Sequence, residues 1–268
     1  MQIIGYESGL EGLEYDIVNG LENEPEPPSI LIEDKNEVKK IHLVKGEKID
    51  YSLKNRHCAG RISEGIHEYC GNEKSPYCEN HISNWVCARC TGNCDLPIAN
   101  CKETHAVYIA AFSPSIFKVG VTRMPRLITR LREQGARKAA HIETVSNGRT
   151  ARQIERRIAS GMKDRVIAKE KLNGLGQNVN GQKWELTMSE FKPAKIFDFS
   201  YGFKLDYPPI PAKILSGEIV GVEGRFLVLK ISKDNYAVDL RAITGYEIEK
   251  GNKRGEISLQ SSLNMLNG

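Results

Sequence analysis

The sequence has no cysteine outside one stretch: all seven cysteines lie between Cys58 and Cys101. It also lacks any run of about 18 apolar residues, so no membrane-spanning helix is predicted. Met1 is not followed by the basic segment and apolar core that mark a secretory signal. Low-complexity tracts are absent too, and 27% charged residues are typical of a globular protein. We therefore expect a cytoplasmic protein that does not bind membranes.

The cysteines and one nearby histidine form two groups whose spacing suits metal binding. Zn²⁺ prefers four N or S ligands in a closed tetrahedral shell, and an x2 spacing lets one tight turn supply two of them. Eight ligands make two complete sets with none left over, so we predict two structural zinc ions. The two sets are Cys58-x11-Cys70-x7-Cys78-x2-His81 and Cys87-x2-Cys90-x3-Cys94-x6-Cys101.

Other interpretations of these residues stay open. A disulfide framework would leave one odd thiol and would need an oxidising compartment. A single zinc ion is a second alternative. The four-cysteine set also suits an iron–sulfur cluster, because thiolates bind both metals. His57 and His67 compete with His81 for the first set, and His105 is an alternative ligand for the second.

Positive charge is concentrated in the middle of the chain. Residues 118–171 hold 15 Lys and Arg against 5 Asp and Glu, whereas residues 1–50 hold 5 Lys against 12 Asp and Glu. The formal net charge of the whole chain is only +4. Because the cations of the middle segment outnumber its acids threefold, they cannot all be paired there. This favours a polyanion-binding face, and we predict nucleic acid, RNA or DNA, as the partner.

Composition divides the chain into four segments. Residues 1–52 have short apolar runs separated by turn-forming residues and are predicted to be β-rich. Residues 53–104 form the zinc-binding module, which has few large apolar side chains, so metal must supply its folding free energy. Residues 105–200 have α/β character. Residues 205–250 are β-rich again, and a small closed barrel would remove the edges of such short strands. Whether the N-terminal strands join that barrel stays open.

Two strands and two helices are predicted in the central segment. His105–Phe112 and Ile116–Val121 are strand candidates, and the Ser-Pro-Ser turn between them indicates a hairpin. Thr122 is expected to cap a first helix. The pattern Thr150-x-x-Gln153 is a capping box and predicts that a second helix begins there.

Two strands and two helices predicted for the central segment each carry a candidate site residue. Ala106-Val-Tyr108 and Lys118-Val-Gly120 lie on the two strands, Arg130 lies in the first helix and Glu155 in the second. In this order the chain resembles the GIY-YIG nucleases. More narrowly, it resembles an uncharacterised prokaryotic GIY-YIG-like family with an N-terminal cysteine-rich zinc region and a small C-terminal β-domain. The resemblance covers about residues 55–250, and its most specific stretches are Lys118-Val-Gly-Val-Thr122 and Arg130-Leu-Arg-Glu-Gln-Gly-Ala136.

The resemblance implies a divalent-metal-dependent endonuclease. Tyr108 would help to activate a water molecule, Arg130 would stabilise charge on the scissile phosphate, and Glu155 would hold one Mg²⁺ or Mn²⁺. Lys118 stands where such nucleases have their second signature tyrosine, and it is either a base or a phosphate ligand. His105 and His141 are candidate substitutes for the missing hydroxyl. The predicted nucleic-acid contacts are Arg123, Arg126, Arg149 and Arg152.

Two other functions compete with the enzyme. The lysine at position 118 favours a non-catalytic RNA- or DNA-binding adaptor, in which a degenerate nuclease site only cradles phosphate. The presence of Tyr108, Arg130 and Glu155 together favours the enzyme. A protein–protein scaffold is the third alternative, and unlike the other two it predicts no salt-sensitive binding of nucleic acid. The sequence points to no particular protein partner.

The fold class predicted from all of this is α+β. It consists of N-terminal β strands, a two-zinc cysteine-rich module, a central GIY-YIG-like α/β domain, and a small C-terminal β-barrel-like domain.

Overall fold

The computed structural model describes residues 1–9, 26–82 and 99–251. Its strands are β1 (Gln2–Glu7), β2 (Ser29–Asp34), β3 (Glu37–His42), β4 (Lys48–Arg56), β5 (Arg61–Ser63), β6 (Ile66–Glu68), β7 (His105–Ala111), β8 (Phe117–Arg123), β9 (Lys138–Val145), β10 (Lys195–Asp198), β11 (Ile210–Pro211), β12 (Leu215–Glu223), β13 (Phe226–Ile231), β14 (Asp234–Asp239) and β15 (Tyr246–Lys250). Its helices are α1 (Leu127–Glu133), α2 (Gly148–Ala159), α3 (Ala168–Asn173), α4 (Gly181–Met188) and α5 (Leu240–Ile243). Described residues 1–9, 26–82 and 209–251 form one compact unit, and residues 99–208 form a second.

A nine-stranded sheet forms the first unit and takes strands from both ends of the sequence. The strand order is β11-β14-β13-β12-β4-β15-β1-β2-β3, and only the β11–β14 pair is parallel. β4 lies between β12 and β15, so that Tyr51 pairs with Leu215 on one side and with Lys250 on the other. Strands β1 to β4 from the N-terminal part of the chain and β11 to β15 from its C-terminal part thus share one sheet.

Branched aliphatic side chains fill the core of the first unit. Leu227 and Leu229 on β13 are completely buried, and they pack in one cluster with Leu215 and Ile219 of β12. The strands β1, β2 and β15 contribute Ile3, Ile30, Ile32 and Ile248 to the same cluster. Burying such side chains stabilises a fold by about 2 kcal/mol each.

The second unit is built on an antiparallel sheet of order β10-β9-β7-β8. All seven residues of β7 are buried, because the strand has neighbours on both edges and apolar layers on both faces. Its alternate side chains divide between the two layers, one of which contains Leu127 and Leu131 of α1. The other layer contains Ala151 and Ile154 of α2. The predicted hairpin of the central segment is confirmed as β7–β8.

The two helices of the central segment begin at other residues than the sequence patterns predict. Thr122 lies on β8 and caps no helix, since α1 begins at Leu127. The cap of α2 is Asn147, whose side-chain oxygen accepts a hydrogen bond from the backbone N–H of Thr150 at 2.8 Å. Asparagine and threonine are both favoured at the N-cap, because their side-chain oxygens accept hydrogen bonds from backbone N–H groups. The capping-box pattern at Thr150 therefore placed the start of the helix a few residues late. None of the helices within the described ranges is long and apolar enough to cross a membrane.

The predicted α+β class and the predicted barrel are wrong. The described residues are mostly β, with helices that are at most 12 residues long. The nine-stranded sheet is open, because the strands at its two ends, β11 and β3, do not pair with each other. A central α/β domain of GIY-YIG-like type is not shown either. All neighbouring strands of that segment are antiparallel, including β9 and β10, which helices separate along the chain, whereas an α/β fold pairs parallel strands through helical crossovers.

Replacing Leu229 with alanine should lower the free energy of unfolding of the first unit by about 3 kcal/mol, because it leaves a cavity in a fully packed core. Ile66 is 69% exposed on β6, so Ile66→Ala is a control that should cost less than about 0.5 kcal/mol. Urea denaturation followed by circular dichroism measures both, because both tryptophans of the chain lie outside the ranges of the first unit. Equal losses for the two variants would contradict the described core.

Candidate functional site

One Cys/His cluster in the first unit could hold a metal ion. Its members are Cys58, Cys70, Cys78 and His81, whose ligand atoms all lie within 4.8 Å of one another. The Cys70 and Cys78 sulfurs are 3.9 Å apart. The Nδ1 atom of His81 is 3.4 Å from the sulfur of Cys58 and 3.2 Å from that of Cys78. The first ligand set predicted from the sequence is therefore brought together.

These distances fit a tetrahedral zinc shell. Bonds of about 2.3 Å to sulfur and 2.0 Å to nitrogen give sulfur–sulfur edges of about 3.8 Å and sulfur–nitrogen edges of about 3.5 Å. A disulfide would need a sulfur–sulfur separation of about 2.05 Å, which the 3.9 Å between Cys70 and Cys78 excludes. Three sulfurs and one imidazole form a closed set of the structural kind, so they leave no position for a substrate.

Tight backbone turns position the cluster immediately after β4. The sulfur of Cys58 accepts hydrogen bonds from the backbone N–H of Gly60 at 3.4 Å and of Cys78 at 3.2 Å. A turn from Cys78 returns the chain, because the backbone N–H of His81 donates to the Cys78 carbonyl at 3.0 Å. Gly60 has φ of +65°, and a Cβ there would lie 2.0 Å from the carbonyl oxygen of Glu68. Only glycine fits this turn.

The two competing histidines are engaged elsewhere. The Nδ1 atom of His57 is 3.0 Å from the carbonyl oxygen of Cys70 and 3.0 Å from the side-chain amide of Gln2. The Nε2 atom of His67 is 2.8 Å from the carbonyl oxygen of Ala59. Both rings hold the backbone around the cluster, and His81 alone of the three supplies a ligand atom.

Two of the thiols have opposite ionisation behaviour. Burial raises the pKa of the Cys58 thiol. Burial also opposes ionisation of Cys78, but the backbone N–H of Asn80, His81 and the neighbouring thiols outweigh it and lower the pKa of Cys78 to about 6. Because the thiolate is the form that binds metal, Cys78 is prepared to ligate at neutral pH.

The second predicted ligand set is not brought together in the described structure. Cys87, Cys90 and Cys94 lie outside the described residues. Cys101 lies in a 3₁₀ turn at Ala99–Lys102. The second zinc site stays a prediction.

Replacing His81 with alanine should remove one metal ion per chain, because it opens the closed ligand set. His67→Ala is the matched control and should keep the metal, since that ring supplies no ligand atom and its hydrogen bond goes to the backbone carbonyl of Ala59. Elemental analysis of the purified variants gives the stoichiometry, and thermal unfolding should show a lower melting temperature for His81→Ala alone. Metal loss from His67→Ala with retention in His81→Ala would overturn the ligand assignment.

A charged cluster surrounds Tyr108 in the second unit. Tyr108 is 1% exposed at the centre of β7, and its hydroxyl accepts a hydrogen bond from the side-chain amide of Gln134 at 2.7 Å. Burial raises the pKa of Tyr108, while the positive charges of Arg130 and Arg152 oppose that rise. The tyrosine is therefore protonated at neutral pH, and its own O–H is a donor rather than a base.

Gly120 makes room for this tyrosine. It pairs directly with Tyr108 across the β7–β8 ladder. A Cβ atom at position 120 would lie 2.6 Å from both the Cζ and the Oη atom of Tyr108, which is well inside van der Waals contact. Glycine is therefore required at position 120 because it leaves space on β8 for the hydroxyl of Tyr108.

Lys118 lies on β8 two residues before Gly120. It is half-buried, and its Nζ atom is 3.5 Å from the backbone carbonyl oxygen of Asp164. Desolvation and the nearby charge of Arg130 lower the pKa of Lys118 to about 8, although the carboxylates of Glu155 and Asp164 oppose that shift. The amine is thus partly neutral near pH 8.

Two helices bring the charged partners. Arg130 on α1 is exposed and is 3.1 Å from the carboxylate of Glu133, which Arg126 also contacts at 2.7 Å. On α2, Arg152 is 2.7 Å from the carboxylate of Glu155. Since the charges of Arg130, Arg152 and Glu155 act on both Tyr108 and Lys118, the four predicted catalytic residues lie in one neighbourhood.

The remaining predicted residues have other partners or positions. Arg123 is half-buried at the end of β8, 3.1 Å from the carboxylate of Glu103. Arg149 is half-buried in the first turn of α2. His105 and His141 are buried, and their rings bond to the Glu103 carbonyl at 2.6 Å and to the Thr144 hydroxyl at 2.9 Å. Neither histidine is shown to replace the missing hydroxyl.

Sequence reasoning missed Gln134 and Asp164. Gln134 lies within the Arg130–Ala136 stretch, but no spacing rule links an amide there to a strand tyrosine. A second contact fixes it, because the Lys171 amine donates to its backbone carbonyl. Asp164 follows α2 in an irregular segment, where only the folded chain places it near Lys118.

Replacing Gly120 with alanine should lower the free energy of unfolding of the second unit by about 1–3 kcal/mol, because the added methyl group overlaps the Tyr108 ring. In a Tyr108→Ala background the same change should cost much less. A double-mutant cycle measured by urea denaturation gives the coupling energy. Additive effects of the two changes would show that the described contact is absent.

Comparison with known proteins places the chain in a family. The profile of the DUF2797 family, described as a protein of unknown function, matches residues 46–248, and the chain belongs to that family. The predicted membership of an uncharacterised family is confirmed, and the matched region includes both the Cys/His cluster and the charged cluster. No curated protein and no solved structure matches the chain.

Proposed function

We propose that the protein binds nucleic acid through its phosphate backbone and cleaves it in a divalent-metal-dependent reaction at the charged cluster. The observation that carries this proposal is the convergence of Tyr108, Lys118, Arg130 and Glu155. These residues come from β7, β8, α1 and α2 and span 48 positions of the sequence from first to last, yet the charges of Arg130 and Glu155 act on both Tyr108 and Lys118. A hydroxyl, an amine, a guanidinium and a carboxylate are the groups that phosphoryl chemistry uses.

The binding part of the proposal rests on the surplus of cations around the cluster. Arg126 and Arg130 share the single carboxylate of Glu133. Arg156 and Arg157 are exposed in the last turn of α2, and within the described residues no carboxylate lies within salt-bridge distance of either. Guanidinium groups bind phosphate oxygens through two parallel hydrogen bonds, so this surface suits a phosphate backbone.

The cleavage part assigns one role to each residue. Glu155 would hold one Mg²⁺ or Mn²⁺, which keeps most of its waters in such a site and supplies a Lewis acid when bound. Arg130 would neutralise charge on the phosphate oxygens. Lys118, with its pKa of about 8, would take a proton from water. The protonated Tyr108 would donate its O–H, because Gln134 already occupies an acceptor position on its oxygen.

The Cys/His cluster has a structural role in this proposal, with zinc as its metal. Its closed ligand set gives it no open coordination position. Bound zinc would stabilise the hairpin β5–β6 and the turns after β4, which contribute few buried apolar side chains of their own.

One observation favours a second candidate, a nucleic-acid-binding protein without catalysis. The side chain of Glu155 is only 14% exposed and is already paired with Arg152 at 2.7 Å. A divalent ion would have to displace that guanidinium from the carboxylate. If the ion pair persists, the cluster is a phosphate cradle whose net charge is positive.

The change Glu155→Gln tests the catalytic part, because it removes the carboxylate charge while keeping the size of the side chain. With Mg²⁺ or Mn²⁺ present, we expect the parent protein to cut at least one of tRNA, single-stranded RNA and duplex DNA, and the variant to cut about 100-fold more slowly or not at all. Half of each reaction is run on a denaturing gel and half on a native gel. Glu185→Gln, which changes an exposed carboxylate on α4, is the matched control and should cut like the parent.

The other outcomes separate the two candidates. A substrate that both proteins shift on the native gel but neither cuts would identify the non-catalytic binder. Its apparent affinity should then fall steeply with salt, since phosphate binding releases counterions. Absence of any shift at low salt would refute nucleic-acid binding altogether.

A further inference from the structure

The amine of Lys118 lies near other positive charges, yet no described carboxylate forms an ion pair with it. Its one hydrogen bond to a described residue is the 3.5 Å contact with the backbone carbonyl of Asp164, and no described carboxylate is within salt-bridge distance. Glu155, the nearby acid, is occupied by Arg152 at 2.7 Å. Phosphate binding alone does not require this environment, because a fully charged lysine amine binds phosphate equally well.

Such an environment is the one that makes a lysine nucleophilic. Partial burial and neighbouring cations disfavour the ammonium form, so a fraction of the amine is neutral near physiological pH, in keeping with the pKa of about 8. A neutral lysine amine adds to carbonyl carbon and forms a Schiff base, whereas a guanidinium or a charged ammonium does not. The carbonyl group that occurs in a nucleic-acid backbone is the aldehyde of an abasic sugar.

We propose that Lys118 is the nucleophile of a lyase reaction on abasic sites in DNA. The inference rests on the proposed nucleic-acid binding, because the arginines around the cluster must hold the phosphates that flank the sugar. It adds a reaction that needs no divalent ion. It also names a damaged strand as a substrate class of the same site.

The reaction balances without an oxidant or a reductant. The Nζ lone pair adds to C1′ of the ring-opened deoxyribose, and loss of water leaves an iminium ion. The carboxylate of Glu155 removes a proton from C2′ through its Oε1 atom, since Arg152 bonds Oε2, and the electron pair of that C–H bond forms a C2′–C3′ double bond. The C3′–O3′ bond breaks, and the downstream strand leaves with its 5′-phosphate. Water then hydrolyses the iminium, which frees the unsaturated aldehyde end and returns Lys118 to its amine form.

Borohydride trapping tests this inference directly. The full-length protein is mixed with a duplex that carries one abasic site, without added Mg²⁺, and sodium borohydride reduces any iminium to a stable protein–DNA adduct. We expect an adduct on a denaturing gel and its attachment at Lys118 by peptide mass spectrometry. Lys118→Arg should lower the adduct yield by about tenfold or more, because a guanidinium keeps the charge but is never neutral. Lys169→Arg, an exposed site on α3, should leave the yield unchanged.

The pH profile supplies a second readout that a purely structural role of Lys118 would not move. If the nucleophile has a pKa of about 8, the trapping rate should rise about fivefold between pH 7 and pH 8 and level off above about pH 9. A rate that keeps rising tenfold per pH unit to about pH 10 would indicate an ordinary lysine and would overturn the assignment.

A parallel binding experiment separates this inference from the proposed function. The same duplex with a tetrahydrofuran residue, which has no aldehyde, is titrated by fluorescence anisotropy. Binding of this duplex together with no trapped adduct would overturn the lyase reaction and leave nucleic-acid binding intact. Neither binding nor adduct would overturn both. An adduct of parent yield on Lys118→Arg would show that another amine reacts and would refute the role of Lys118.

Discussion

The complete burial of β7 is the constraint on which the second unit depends. A strand with partners on both edges and apolar layers on both faces accepts polar groups only where each has a partner. Tyr108 satisfies this condition because Gln134 donates to its hydroxyl and Gly120 leaves the space for it. The charged side chains then lie around a fixed phenol. In the proposed function, this rigid centre would position the exposed cations at its rim for a polyanion.

In the first unit a corresponding role falls to the hydrogen bonds around the Cys/His cluster. Polar turns such as these bury little apolar surface, so the position of each ligand depends on backbone contacts. The side-chain amide of Gln2, on β1 of the large sheet, donates a hydrogen bond to the carbonyl oxygen of Cys58 at 3.1 Å. The cluster is thereby tied to a strand that precedes it by more than fifty residues. A metal ion held there would reinforce the sheet as well as the local turns.

The sequence predicts those parts of the structure that depend on local pattern. The hairpin β7–β8 and the ligand set that ends in His81 follow from turn residues and spacing, whereas β4 and β15, which lie at the centre of the large sheet, were not predicted as strands. The long-range pairing of β4 with β12 and β15 could not be predicted, because several strands of equal character compete as partners. Gln134 was missed for a related reason: its contact with Tyr108 depends on where α1 ends, not on a motif. Apolar periodicity likewise says nothing about which of three histidines faces three sulfurs.

The shared sheet of the first unit has a consequence for how the chain is made. Tyr51 on β4 finds its partner Leu215 on β12 only after the roughly 160 intervening residues have been synthesised. During that interval β4 has no partner on either edge, because β12 and β15 both follow the second unit in the chain. Long-range pairing of this kind folds slowly and exposes unpaired edges to other chains. A metal ion bound early by the Cys/His cluster would stabilise the turns after β4 until β12 and β15 have been synthesised.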